Sequence, residues 1–253
     1  MPRSARPPAD APKPPRVPAR GRVARAGADE PREGREGREG RAYGGLAQED
    51  RVAARRARFV EAGIELFGTQ GFRGATVRGI CAAAGLTDRY FYESFASLEA
   101  LLIAVHRHLM DGLGGRLMDE AVSPATPLDR AQVEHHVALG YQVWFDVVRE
   151  PRFARIVLVE ILGVSAAVDE LYEGSMRDFA ELTISLLEST QPGLKLSKSR
   201  RALLGRALVG ASLQVAKLWM TSGYRAPRRD VVRTCVLVAI GTMEALRAES
   251  RAG

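Results

Sequence analysis

Two cysteines, Cys81 and Cys235, are all that the 253 residues contain. Two cannot build a disulfide framework, and their separation matches no metal-ligand spacing, which points to a reducing compartment. Aromatic residues make up only 6%, too few for a pocket built from stacked rings. No apolar run approaches the ~18 residues of a membrane-spanning helix. The start MPRSARPPAD has no apolar core behind its basic residues, so it does not read as a secretory signal. A cytoplasmic protein is expected. No stretch alternates apolar with polar residues as a half-buried strand would, so the expected fold class is all-α.

Catalytic and metal constellations are missing as well. His106 and His108 are two apart and His135 and His136 are adjacent, so neither pair has the helical spacing that converges on one ion. No Glu stands three residues before a His, which excludes a di-iron carboxylate bundle. Gly163 to Ala167 brushes against a nucleophile elbow but lacks its second Gly and the preceding strand. Gly205 to Gly210 has phosphate-loop spacing without the Lys. No enzyme, cofactor or metal is expected.

The remaining composition is globular, with 46% hydrophobic and 26% charged residues. The net charge of +7 is unevenly placed: residues 1–45 hold eleven basic against six acidic residues and thus carry +5 of it. The same segment contains eight of the thirteen prolines and a three-residue Arg-Glu-Gly repeat over 32–40. With little to bury against the entropy of ordering, it is expected to be a disordered basic arm.

From residue 46 the texture turns helical. Phe59, Gly63, Leu66 and Phe67 share one face of a helix preceded by Arg51, Arg55, Arg56 and Arg58, and Gly68 and Gly71 are expected to end it. Thr76 can cap a short second helix with Val77, Ile80, Cys81 and Ala84 on one face. Gly85 breaks that helix, Thr87 can cap a third through Phe95, and Ser97 can cap a fourth. Two short helices joined by a tight Ala84-Gly85-Leu86 turn have helix-turn-helix spacing. The second helix of such a pair enters the major groove with its N-terminal residues on base edges. Here those are Thr87, Asp88, Arg89 and Tyr90, followed by Tyr92. Arg can fork onto guanine, and hydroxyls suit phosphate oxygens. Phe91 and Phe95 should turn back into a small core.

Residues 62–102, AGIELFGTQGFRGATVRGICAAAGLTDRYFYESFASLEALL, resemble the DNA-binding domain of the TetR family of transcriptional regulators. The resemblance rests on the Phe67-to-Gly71 helix end, Thr76-Val77, Ile80, Ala83-Ala84-Gly85-Leu86-Thr87, Tyr92, Phe95, Glu99 and Leu101. It implies a homodimer reading an inverted-repeat operator and released by a small molecule bound in a C-terminal helical domain. By position it places Thr87, Arg89, Tyr90 and Tyr92 on DNA, with Thr76 and Arg78 contributing from the second helix. One residue departs from the pattern. Leu98 stands where the family usually has Lys or Arg, which removes a phosphate contact that Arg51, Arg55, Arg56 or the arm could replace. Residues 46–105 are neutral overall, with seven basic and seven acidic residues, which predicts modest nonspecific affinity.

The resulting organisation is a disordered arm over 1–45, a three-helix DNA-binding domain over 46–96, and a helical ligand-binding and dimerisation bundle over 97–250. Pro124, Pro127, Pro151, Gln191-Pro192-Gly193 and Pro227 punctuate the bundle. Tyr141, Trp144, Met176 and Phe179 are the candidate ligand-pocket residues, on helices that enclose the family's pocket. The last two helices carry the candidate dimer residues Leu204, Leu208 and Ala211, then Val232, Val236, Ile240 and Met243. Expected partners are operator DNA, an unidentified small molecule and a second copy of the chain, with no membrane. A ligand-independent or architectural DNA-binding protein is the alternative.

Overall fold

The computed structural model describes residues 36–120, 128–189 and 196–252. Contacts divide the chain into Met1–Gly44 and Gly45–Gly253, and the architecture described here is that of the second unit. Its elements are helical, with no strand among the described residues. In chain order they are α1 (Glu36–Thr69), α2 (Val77–Ala84), α3 (Asp88–Ser94), α4 (Leu98–Asp119) and α5 (Arg130–Val148). There follow α6 (Pro151–Arg155), α7 (Ala166–Ser189), α8 (Lys198–Thr221) and α9 (Arg228–Ala252). The arm expected over 1–45 lies outside the described residues as far as residue 35, whereas the backbone from Glu36 is already helical. Pro124, Pro127 and Gln191-Pro192-Gly193 also lie outside them.

Side-chain oxygens cap several helices where short polar residues precede apolar periodicity, each satisfying a first-turn amide. Thr76 accepts from the Gly79 amide at 3.1 Å, Ser97 from Ala100 at 3.1 Å, and Ser197 from Arg200 at 3.3 Å. Asp129 and Gln132 form a reciprocal capping box at 2.8 and 2.9 Å. Thr87 occupies the cap position of α3, but its hydroxyl makes no cap bond. Gly68 does not stop α1 as expected; it lies inside the helix. A Cβ there would stand 2.5 Å from the Arg152 Cβ, so this glycine permits close approach of α6.

Two apolar cores result. The first gathers Phe59, Phe67, Ile80, Phe91 and Phe95 with Leu101, Leu102 and Val105 of α4, and takes in Ile156, Ile161 and Val168 from beyond α5. Phe59 meets Phe91 and Phe95 edge-on at 5.5 and 6.3 Å. The second core fills the bundle of α5 and α7–α9 around Phe145, Val148, Met176, Leu208, Trp219 and Val236. Ion pairs of Arg201 with Glu181 and Glu188, and of Arg206 with Glu173 at 2.9 Å, fasten α7 to α8.

Candidate nucleic-acid interface and internal cavity

The α2–α3 pair is built from its turn outward. Gly85 adopts the left-handed conformation (φ 62°, ψ 36°), which costs a side chain energy and glycine none. Its amide donates to the Ala82 carbonyl at 3.2 Å and the Leu86 amide to Cys81 at 3.0 Å, closing the end of α2. The Arg58 guanidinium of α1 donates to the last carbonyl, Ala84, at 2.5 Å. A Cβ on Gly85 would lie 2.9 Å from Arg58 Nη2. The left-handed backbone is what selects glycine here, since Arg58 could shift to admit a Cβ.

Two more arginines of α1 grip α3. Arg56 donates to the Ser94 carbonyl at 2.6 Å and covers the Phe95 ring at 4.2 Å, while Arg55 lies 4.6 Å over Tyr90. Both were expected as replacement phosphate contacts; both are engaged within the head instead, because their guanidinium groups find a helix-end carbonyl and ring faces there. Arg51 reaches only Gln48, at 3.4 Å.

The outer face of α3 presents Thr87, Asp88, Arg89, Tyr92 and Glu93, all exposed, with Tyr92 61% exposed, and Tyr90 half-buried. Thr76 and Arg78 are exposed on α2. Arg89 donates through Nε to Glu93 at 2.9 Å, an acid that motif reading passed over although i,i+4 spacing placed it beside Arg89. Burial, reinforced by the neighbouring Asp88 carboxylate, pushes the Cys81 thiol up to about 11. Cys81 thus stays neutral at the base of the reading helix.

A cavity opens between α4, α5, α7, α8 and α9, with about 140 Å³ in which the centre of a water molecule can move. All four pocket candidates, Tyr141, Trp144, Met176 and Phe179, line it. Exposed Glu120 and Ser189 mark the open end, and buried Trp144 and Val157 the deep one. No Lys or Arg lines it among the described residues, and Glu120 is its one carboxylate. Burial, with Cys235 nearby, drives the Tyr141 phenol upward, so that it remains a neutral hydroxyl.

Against this geometry, residues 59–105 match the profile of bacterial regulatory proteins, tetR family. The match covers the stretch of α1 to α4 that builds the reading head. It is 35% identical over 102 residues to the HTH-type transcriptional repressor KstR2 of Mycobacterium tuberculosis, an overlap of 35% of this chain and 51% of KstR2. The chain thus spans about half the length of the curated relatives it matches. Its fold resembles the fatty acid degradation regulator FadR of Bacillus halodurans (TM-score 0.62, 16% identity, 74% of this chain and 95% of that one). It also resembles Bacillus subtilis FadR solved with stearoyl-CoA (TM-score 0.61, 14% identity, 73% and 97%).

Five of the seven candidate dimer residues face inward. Leu208, Val232, Val236, Ile240 and Met243 are buried in the chain's own second core, with Leu204 and Ala211 half-buried. The expected pairing residues are thus packed largely within their own subunit, with Leu204 and Ala211 the most open of them. The uncovered apolar residues on the same helices are Leu203 (69% exposed) and Leu218 (70%) on α8, and Leu237 (61%) and Val238 (45%) on α9. Gly210 and Gly241 have open space above them. Periodicity identified amphipathic helices but not which of two apolar stripes turns inward. No helix among the described residues is long and apolar enough to cross a membrane.

Proposed function

We propose that the chain is a homodimeric, DNA-binding transcriptional repressor of the cytoplasm, released from an inverted-repeat operator by an uncharged apolar small molecule. The single observation that carries this reading is the outer face of α3. Arginines of α1 hold α2 and α3 from behind, leaving Thr87, Arg89 and Tyr92 exposed to meet DNA with half-buried Tyr90, and Thr76 and Arg78 beside them. In this reading Arg89 contacts a base edge and the hydroxyls contact phosphate. Two such faces about 34–36 Å apart engage successive major grooves, and the exposed apolar residues of α8 and α9 supply the pairing surface. KstR2 supports repression, and the apolar lining of the cavity supports a ligand held by burial. A ligand favouring the form that cannot span both grooves empties the operator through its affinity difference between the two forms.

The test is a fluorescence anisotropy titration on duplex DNA from upstream of its own gene across a salt series. The reading expects saturable binding that survives excess unrelated DNA. Binding abolished by that competitor overturns sequence-specific regulation and favours an architectural role.

A further inference from the structure

Between α6 and α7 the chain makes one π-helical turn, Ile156–Glu160, closed by the Ile161 amide on the Ile156 carbonyl at 3.1 Å. Single π turns are rare and are frequently found at functional sites. Here consecutive side chains of that turn face different cores. Ile156 is fully buried in the core of the reading head, whereas Val157 belongs to the bundle core and lines the cavity.

The same segment grips the head by polar contacts. Glu160 accepts from the Phe72 amide at 2.8 Å and from Arg155 Nε at 2.9 Å. Arg155 Nη1 donates to the Thr69 carbonyl, the end of α1, at 2.5 Å. Gly71, at φ +84°, leaves room for this clamp: a Cβ there would stand 2.9 Å from both Arg155 Nη2 and Glu160 Oε1. Arg152 adds an ion pair to Glu65 of α1 at 3.0 Å.

We propose that Arg155 and Glu160 are the positioning residues that transmit cavity occupancy to the reading head. A molecule pressing on Val157 displaces the turn that also carries Glu160, and so moves or frees the Phe72 amide and the end of α1. Coupling requires an element that both sites bias, and this turn touches both. The inference rests on the regulator reading only for its DNA readout.

A side chain filling the cavity serves as the probe. Gly140→Leu is suited to this, because Gly140 lines the cavity in a helix and a Cβ there has no atom nearer than Leu117 Cδ2 at 4.0 Å. Ala239→Leu fills it from α9. Each is made in the full-length parent and in Glu160→Ala, which removes the acceptor, with Gly71→Ala as a second way to break the clamp. Affinity is measured on a duplex selected by the parent from a random library, and amide exchange is followed over residues 69–75.

Filling the cavity is expected to weaken binding at least tenfold in the parent and less than twofold in Glu160→Ala, and to speed exchange of the Phe72 amide in the parent. Equal losses in both backgrounds, or filling that leaves both affinity and Phe72 exchange unchanged, overturn the proposal. If the parent selects no duplex while Phe72 exchange still answers to filling, the coupling stands and the regulator reading fails.

Discussion

Arg89 and Glu93 form an ion pair at 2.9 Å on the exposed face of α3, so the candidate base-reading arginine is held by an acid one turn behind it. An exposed pair of this kind contributes little to stability. Its effect on recognition is expected to be larger, because in the proposed reading Glu93 also sets a negative charge beside the phosphate backbone. Glu93→Gln is expected to tighten binding to all duplexes about fivefold at low salt, the effect shrinking as salt rises. Arg89→Ala should relax base preference by about 1–3 kcal/mol at one position, whereas Tyr92→Phe should weaken all sequences alike. Anisotropy on a panel of single-base operator variants separates these outcomes, and a uniform effect of Arg89→Ala across the panel removes Arg89 from base reading.

Arg58 closes the end of α2 through the Ala84 carbonyl. Removing a charged donor from a part-buried carbonyl costs about 2 kcal/mol. Arg58→Ala should therefore lower Tm by several degrees and weaken DNA binding through disorder of the turn. Thermal melts and circular dichroism measure this; an unchanged melting profile would show that water replaces the guanidinium at no cost.

His106 is fully buried in α4, and neither ring nitrogen has a hydrogen-bond partner among the described residues. Burial, with a smaller contribution from Arg107, lowers its pKa to about 4. The unfolded ring takes up a proton near 6.5. Between those values the unfolded state binds more protons than the folded one, so stability falls as pH drops from about 6.5 to about 4. The ring is neutral in both states above that window, and stability there is independent of it. The total loss is on the order of 3 kcal/mol. His106→Leu should flatten this part of the Tm-against-pH curve and raise Tm below pH 6; a parallel curve displaced by a constant amount would show that His106 does not drive the slope.

The exposed residues Leu218 and Leu237 are expected to pair two chains, whereas Leu208 supports only its own subunit. Leu218→Glu with Leu237→Glu should yield a folded monomer by analytical ultracentrifugation, with operator affinity much reduced. Leu208→Ala should instead cost about 2–5 kcal/mol of stability and leave the assembly intact. A dimer that survives both glutamates would assign pairing to another surface.

Among the described residues, no Lys or Arg lines the cavity, His136 is its one titratable base, and Glu120 stands at its open end, so the expectation for an anion is read in parent and His136→Gln alike. Burying an uncompensated carboxylate is costly. A twelve-carbon methyl ester should therefore bind at least tenfold more tightly than the matching free acid at pH 7.5, and the acid should gain affinity as pH falls toward its own pKa. Calorimetry decides this, and equal, pH-independent binding of acid and ester would contradict it.

Much of the head was legible because its signals are local. Thr76 and Ser97 cap where short polar residues precede apolar periodicity, Gly85 breaks the chain where a left-handed residue is needed, and Phe59, Phe91 and Phe95 fall on inward positions. The pocket residues Tyr141, Trp144, Met176 and Phe179 came from family resemblance rather than spacing, and they line one cavity. Periodicity does not single out a pairing face, because α8 and α9 each carry apolar residues on more than one face, and a hydrophobic period does not say which face meets its own subunit.

The sequence by itself determined the helical class, the helix-turn-helix pair and the residues along its outer face. These follow from periodicity and capping within a few residues. Tertiary structure decided what Arg55, Arg56 and Arg58 hold, which face of α8 and α9 is left uncovered, and how Glu160 reaches Phe72 across 88 positions. Those depend on contacts between distant segments, and a side chain's partner there is set by packing geometry, which no local pattern encodes.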